Sequence, residues 1–330
     1  MAIGSALVDV LADATIEDLA RFEMVKGSMT LVDLARAATL YEAMGPAIEV
    51  SGGSAANTAV GVAALGGSVG YVGKVAADEL GEVFLHDITA AGVVLGPTGR
   101  VEPSLDPADD RATGRCLVYV TEDGERTMAT HLGVASTLEP GDLDEDFVAR
   151  AQVLYLEGYL WDLGPAKAAM RRAMQVAHEA DSLVALSLSD PFCVQRHQSE
   201  FLELLHGDVD VLFANEDEVT LLFGASTFDA AAAAAEETGI LAALTRGAAG
   251  SVVVAASGAT AIPADPVARV ADTTGAGDLF AAGFLYGLTH GKGPETCARL
   301  GGLCAAEVIS HIGARPRADL RQLAGEAGLL

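Results

Sequence analysis

The chain is short of basic residues, cysteines and aromatic rings, and each shortage excludes something. Lys and Arg total 20 against 46 Asp and Glu, a formal net charge of −26. A field of that sign repels a polyanion and no Lys/Arg cluster offsets it, so nucleic acid is excluded as a partner. A small anion is not excluded, because backbone N–H groups hold anions whatever the net charge. The four cysteines, Cys116, Cys193, Cys297 and Cys304, form no C-x-x-C pair. They read as reduced, buried side chains of a cytoplasmic protein, with Cys297 and Cys304 on one helix face. No run of ~18 apolar residues is present to span a membrane. The N-terminal segment has no basic region ahead of its apolar run, so a signal peptide is not expected. The seven histidines are scattered, without H-E-x-x-H or another metal spacing. "GLTHGKG" lacks the spacing and the Ser/Thr of a P-loop. G-x-G-x-x-G fails as well, since Phe280 occupies the last glycine position, which removes an NAD-dependent oxidoreductase from consideration.

What is present is an apolar chain, 51% hydrophobic with 37 glycines and only 5% aromatic residues. A core built from Ala, Val, Leu and Gly suits tightly packed helices on a parallel sheet. At 330 residues it forms one large domain or two smaller ones. "AIGSALVDVLAD" predicts a buried first strand with Asp9 near its end, and "GGSAANTAVGVAALGG" a glycine turn followed by an Ala-rich helix. "VGYVGKVA" predicts a strand and "DELGEVFLHDITAAGV" an amphipathic helix. "GPTGRVEPSLDPADDRATGR" reads as a loop or excursion, and the runs around "EDGE" as a hairpin. Beyond about residue 145 strands alternate with helices, which argues a mostly parallel sheet covered on both faces. The expected architecture is a three-layer α/β/α core from residues 1–10, 51–97 and 136–330. Residues 11–50 and 98–135 are expected to contribute a small β-rich lid.

Chemistry concentrates in "VADTTGAGDLFAAGFLYGL", Val270–Leu288. Leu279, Phe280, Phe284, Leu285 and Leu288 have helical spacing, so a helix starts near Gly277. Its first N–H groups lack intrahelical acceptors and carry the positive end of the helix dipole. Gly275, Ala276 and Gly277 leave room for a phosphate to reach them, which makes an anion hole. Asp278 beside it can accept the proton of an attacking hydroxyl. The competing reading of Asp278 is simple stabilisation of a helix N-terminus.

The longer run "DTTGAGDLFAAGF" resembles the C-terminal signature of the PfkB, or ribokinase-like, family of carbohydrate and nucleoside kinases. "GGSAANTAVGVAALGGSVGYVGKVAADELGEVF", Gly52–Phe84, is similar to that family's N-terminal glycine-rich motif. "NEDE" at Asn215–Glu218 resembles its N-x-x-E motif, and "LTRGAAGSVVV" its T-x-G-x-x-G segment. The four stand in the family's order and span nearly the whole chain. The resemblance implies transfer of the γ-phosphoryl group of ATP to an alcohol, with Asp278 as base and Gly275, Ala276 and Gly277 as anion hole. It implies substrate contacts from Asp9, Gly52, Gly53 and Asn57. On residue type alone Asn57 reads as a helix-start cap and Asp9 as a strand-end residue. Thr245, Gly247 and Gly250 are implied to border the nucleotide, with Arg246 either on a phosphate or on the surface. Asn215 and Glu218 are implied to act on the water shell of Mg²⁺, which prefers oxygen ligands and keeps its waters. The alternative is a helix N-terminus stabilised by the three acids of "NEDE".

For the acceptor, "FEMVKGSMTLVDLARAATLYEAM", "YLEGYLWD" and "GERTMATHLG" resemble the adenosine kinase branch. The expected acceptor is therefore the adenosine 5′-hydroxyl, with AMP as product. A purine needs a flat apolar clamp, for which Met128 and Tyr159 are the candidates; plain core packing is the alternative for each. Arg126 faces the substrate or simply belongs to the hairpin. The alternatives are a sugar kinase of the same fold, acting on ribose or a keto-deoxy sugar acid, and a nucleoside- or nucleotide-binding protein without catalysis. The expected partner is thus a small molecule, with the protein a monomer or a homodimer.

Overall fold

The computed structural model describes residues 1–96, 100–101, 111–123 and 125–330. The Pro/Gly/Asp-rich excursion falls largely outside the described residues, as does Gly124 at the tip of the hairpin.

The expected first strand is two strands in different sheets. Ala2–Ile3 enters a nine-stranded sheet between Val153–Glu157 and Gly70–Val72, whereas Leu7–Asp13 belongs to a five-stranded sheet. The break falls at Gly4–Ser5. A side chain on Gly4 would collide with Ala55 and Glu157, so the chain passes between them and turns away. Asp9 accordingly lies in mid-strand rather than at a strand end. The expected boundary between core and lid at residue 10 cuts through this strand. "VGYVGKVA" divides in the same way, with Gly70–Val72 in the large sheet and Val75–Ala76 paired with Arg100–Val101.

The large sheet runs, edge to edge, Gly258–Ile262, Ser251–Ala255, Leu241–Thr245, Val211–Asn215, Leu183–Ser187, Val153–Glu157, Ala2–Ile3, Gly70–Val72, Val94–Leu95. All neighbours are parallel except the last hairpin, Ser251–Ala255 with its two partners. Val153–Glu157 is buried at every position, as a strand covered on both faces must be. Gly164–Glu179, Pro191–Leu204, Glu216–Phe223 and Phe228–Thr238 pack on one face around Trp161, Phe201 and Leu212. Ser54–Ala64, Ala276–Thr289 and Pro294–Val308 cover the other, around Phe213, Phe280 and Phe284. Three layers therefore bury two apolar faces, and Cys297 and Cys304 are both buried on one helix.

The five-stranded sheet has the order Met29–Leu31, Arg126–His131, Gly114–Val120, Leu7–Asp13, Ile48–Gly52. Its buried positions alternate along Leu7–Asp13, with Val8, Val10 and Ala12 inward. Helices Ile16–Arg21 and Leu34–Ala43 contribute Leu19 and Leu40 to the cluster that holds Val8, Val10, Leu117 and Tyr119. Strand register puts Asp9, Leu11, Cys116, Val118, Arg126 and Met128 on the opposite face.

Helices start here in two ways. Asp33, Asp78, Asp190, Asn215 and Thr227 each accept an N–H from the first turn of the helix they start. Such a cap stabilises by ~1 kcal/mol. Ser54–Ala64 and Ala276–Thr289 start instead on Gly53 and Gly275, at φ 92° and 79°, with no side chain to cap them. Glycine tolerates that backbone where other residues strain. These two uncapped N-termini meet at the candidate site, where Ser54 and Asp278 in their first turns are hydrogen-bonded.

Candidate active site

Asp278 lies in the first turn of Ala276–Thr289, half-buried. Both carboxylate oxygens have donors on Ser54–Ala64: Ser54 Oγ gives to Oδ1 at 2.6 Å, and Asn57 Nδ2 gives to Oδ2 at 2.9 Å. Burial raises its pKa, while Ser54, Asn57 and the nearby Arg315 pull the other way. The result is an acceptor that is more basic than a free carboxylate and fixed in direction. Asn57 is only 4% exposed, and its Oδ1 has no partner among the described residues. The amide is therefore used to orient Asp278 and not as a helix cap; Gly53 is the cap.

The glycine turn supplies what an anion needs. Among the described residues the Gly277 and Asp278 N–H groups have no hydrogen-bond acceptor, whereas Ala276 N–H gives to Thr273 O at 3.2 Å. A side chain on Gly277 would meet nothing within 4 Å, so open space lies above these amides. Gly275 is closed off instead, since a Cβ there would lie 2.7 Å from that of Ala314.

Asp9 is brought to the same place from the lid. A Cβ on Gly52 would lie 2.4 Å from the Asp9 carboxyl, so only glycine fits opposite it. Burial lifts the Asp9 pKa to about 6, against the pull of Arg315 and Arg126, with Asp278 pushing further upward. Gly53 packs as tightly, its would-be Cβ 2.2 Å from Ser5 O. Arg126 does not stand free in the hairpin. It pairs with Asp272 at the entry to the glycine turn, the side chains being 10% and 4% exposed. Asp272 also accepts from Thr274 N at 3.0 Å and Gly313 N at 2.8 Å. One carboxylate thus joins the lid, the glycine turn and the segment that follows Pro294–Val308. Met128 is half-buried on the Asp9 face of the lid. Tyr159, also half-buried, donates its hydroxyl to Ser189 O at 3.2 Å. Burial first, then Asp190, Asp278 and Glu218, keep that phenol protonated.

The remaining predicted residues collect further along the sheet edge. Asn215 and Thr245 are register partners at the ends of adjacent parallel strands. With Glu216, Asp217, Arg246 and Gly247 they line a cavity of about 240 Å³. Arg246 is held by Glu216 at 3.2 Å and lies over the Phe228 ring at 4.0 Å. Gly250 closes the turn, its would-be Cβ 2.1 Å from Ile262 O. Asn215 and Glu218 form a reciprocal capping box: Glu218 N gives to Asn215 Oδ1, and Asn215 N to Glu218 Oε2, both at 2.9 Å. Glu218 is 5% exposed and its pKa rises to about 7, mainly through burial. Among the described residues no group of three His, Cys, Asp or Glu could hold a metal directly.

Four residues of the site escaped the sequence reading. Ser54 stands inside a quoted motif but was not singled out. Asp272 opens the glycine turn yet acts on the lid. Arg315 is inserted under the N-terminal glycine motif, donating to Ser51 O, Ser51 Oγ and Ala56 O at 2.8–3.1 Å. Burial lowers its pKa to about 10 although Asp9 and Asp278 oppose the shift. Glu157, 1% exposed, accepts from Ser5 N at 2.7 Å and Ala55 N at 2.8 Å. Burial lifts its pKa to about 7. An acid closing an apolar strand was the available signal, because ligands of α/β sheets bind beyond strand C-termini.

Among the described residues no helix is long and apolar enough to cross a membrane. The pfkB family carbohydrate kinase profile matches residues 46–320. An adenosine kinase of Saccharomyces cerevisiae is 32% identical over 94% of this chain and 94% of its own length. The crystal structure of adenosine kinase from Sinorhizobium meliloti superposes with a TM-score of 0.91 at 46% identity, covering 99% of this chain and 98% of that one. That of a probable sugar kinase from Rhizobium etli gives 0.91 at 43%, covering 100% and 98%. The two sheets and their layers are the ribokinase-like fold of those kinases. Kinases of this family take ATP as phosphate donor. The chain is a phosphotransferase and belongs to the PfkB family of carbohydrate kinases.

Proposed function

We propose that the protein transfers the γ-phosphoryl group of ATP to a ribosyl hydroxyl, the acceptor being the adenosine 5′-hydroxyl and the product AMP. The observation that carries this reading is Asp278 held by two donors beside the unpartnered amides of Gly277 and Asp278. The terminal phosphate lies over those amides, which stabilise the charge on its equatorial oxygens. Asp278 accepts the acceptor's proton. A carboxylate suffices because phosphoryl transfer is largely dissociative and the proton leaves late.

Asp9 receives hydrogen bonds from the sugar hydroxyls, with Gly52 and Gly53 letting the ring approach the backbone. Leu11, Val118 and Met128 on the lid face, together with Tyr159, clamp the base. Thr245, Gly247 and Gly250 border the rest of the nucleotide. When bound, magnesium would supply charge neutralisation to the donor phosphates. The capping box leaves Asn215 and Glu218 suited to its outer water shell only, each oxygen of the pair being already engaged with protein.

A sugar acceptor is the second reading, favoured by the likeness to the Rhizobium etli probable sugar kinase. A coupled assay of ADP release with adenosine, ribose and ketodeoxygluconate separates the two. Adenosine is expected to give the highest kcat/KM by at least tenfold; a sugar in that position overturns the nucleoside assignment.

A further inference from the structure

Glu157 takes no direct part in the transfer just described, yet it is a fully buried carboxylate a short way from it. Its two oxygens accept amide protons from two segments far apart in sequence: Ser5 N, beyond the first core strand, and Ala55 N, in the first turn of Ser54–Ala64. That helix starts on Gly53 and has no side-chain cap of its own. Helix N-termini need an acceptor for their first N–H groups, and here one arrives from a core strand 102 residues away. The fit is close, since a Cβ on Gly4 would lie 2.5 Å from Glu157 Oε2. The same helical turn carries Ser54 and Asn57, three residues apart and on one face. These are the two donors that hold the oxygens of Asp278.

We infer that Glu157 is a positioning residue for phosphoryl transfer: it caps Ser54–Ala64 from the core sheet, and so fixes Ser54 and Asn57 against Asp278. It acts through those two side chains and not on the acceptor. A structural role alone would lower stability without separating kcat from KM. A role through Ser54 and Asn57 makes its effect vanish once they are gone, because coupled residues are non-additive.

The inference rests on the phosphotransferase reading of the site but not on the choice of acceptor. The test therefore uses ATP with whichever of adenosine, ribose or ketodeoxygluconate the wild-type protein turns over fastest. Glu157→Gln keeps the shape but leaves one oxygen to accept and turns an N–H₂ toward the second amide. It is expected to lower kcat about tenfold or more with acceptor KM changed less than about threefold. In a Ser54→Ala/Asn57→Ala background the same change is expected to cost less than about twofold. Glu157→Asp, which retains charge but loses reach, is expected to fall between wild type and Gln. It is read in the same cycle should the Gln protein not fold. An equal kcat loss in both backgrounds, an unchanged kcat, or a loss confined to KM overturns the inference while leaving the kinase reading intact. No turnover of any acceptor by the wild-type protein overturns both.

Discussion

Asp9 shows how one residue's surroundings set its chemistry. Its carboxyl faces a glycine that cannot be anything larger, is buried enough to titrate at about 6, and is kept from rising further by Arg315 and Arg126. On the proposed reading Asp9 accepts from the acceptor's hydroxyls, so only its ionised form binds well. Protonation on lowering the pH through about 6 removes that form, so kcat/KM, which reports the free enzyme, falls on the acid side. Asp9→Asn is expected to lower kcat/KM ~10–100-fold at pH 8, the scale of a charged hydrogen bond, and to remove the limb near 6. A profile measured from pH 5 to 8.5 checks this; an unchanged limb in the variant contradicts it. At this scale the sequence was legible where partners are neighbours in the chain, as with Gly275, Ala276, Gly277 and Asp278. Glu157 and Arg315 were not legible, because each is a lone polar residue whose partners lie roughly 100 to 260 positions away. Nothing local to "YLEGYL" or "GARPRADL" distinguishes a buried clamp from a surface charge.

At the scale of elements, the contact between lid and core includes one buried ion pair beside its apolar packing. Arg126 on a lid strand meets Asp272, which also ties down the glycine turn and Gly313. Arg126→Met leaves Asp272 buried with two amide donors. The cost is expected to stay below the ~3–5 kcal/mol of a fully orphaned buried charge. Urea unfolding should show a lower midpoint for Arg126→Met and recovery of most of the loss in Arg126→Met/Asp272→Asn; an unaltered midpoint would contradict the pairing. The hairpin that carries Arg126 was readable from two strand-like runs around the turn signal "EDGE". The division of "AIGSALVDVLAD" was not, since a continuous apolar run looks alike whether one sheet or two receive it. Only the space left by Ala55 and Glu157 makes Gly4 the crossing point. The glycine caps were visible as glycines, but that the two N-termini starting on Gly53 and Gly275 face each other at the site emerges from the assembled helices.

For the whole molecule, a chain of net charge −26 must still receive a polyanionic nucleotide. On the proposed reading the open amides at one helix N-terminus receive it, while the guanidiniums of Arg126 and Arg315 are engaged with Asp272 and with Ser51 and Ala56. The alternating strands and helices after residue 145 announced the three-layer core, because each parallel strand must be followed by a crossover that covers it. The lid was less plain, since its strands come from two separate stretches, 7–52 and 114–131, and pair in an order that sequence does not give. All of this geometry converges on one carboxylate. The central claim is tested most directly by the steady-state kinetics of Asp278→Asn with ATP and the preferred acceptor. The account predicts a fall in kcat of ~10²–10⁴, the contribution of a positioned base, with acceptor KM within a few-fold of wild type. Turnover within twofold of wild type would contradict it.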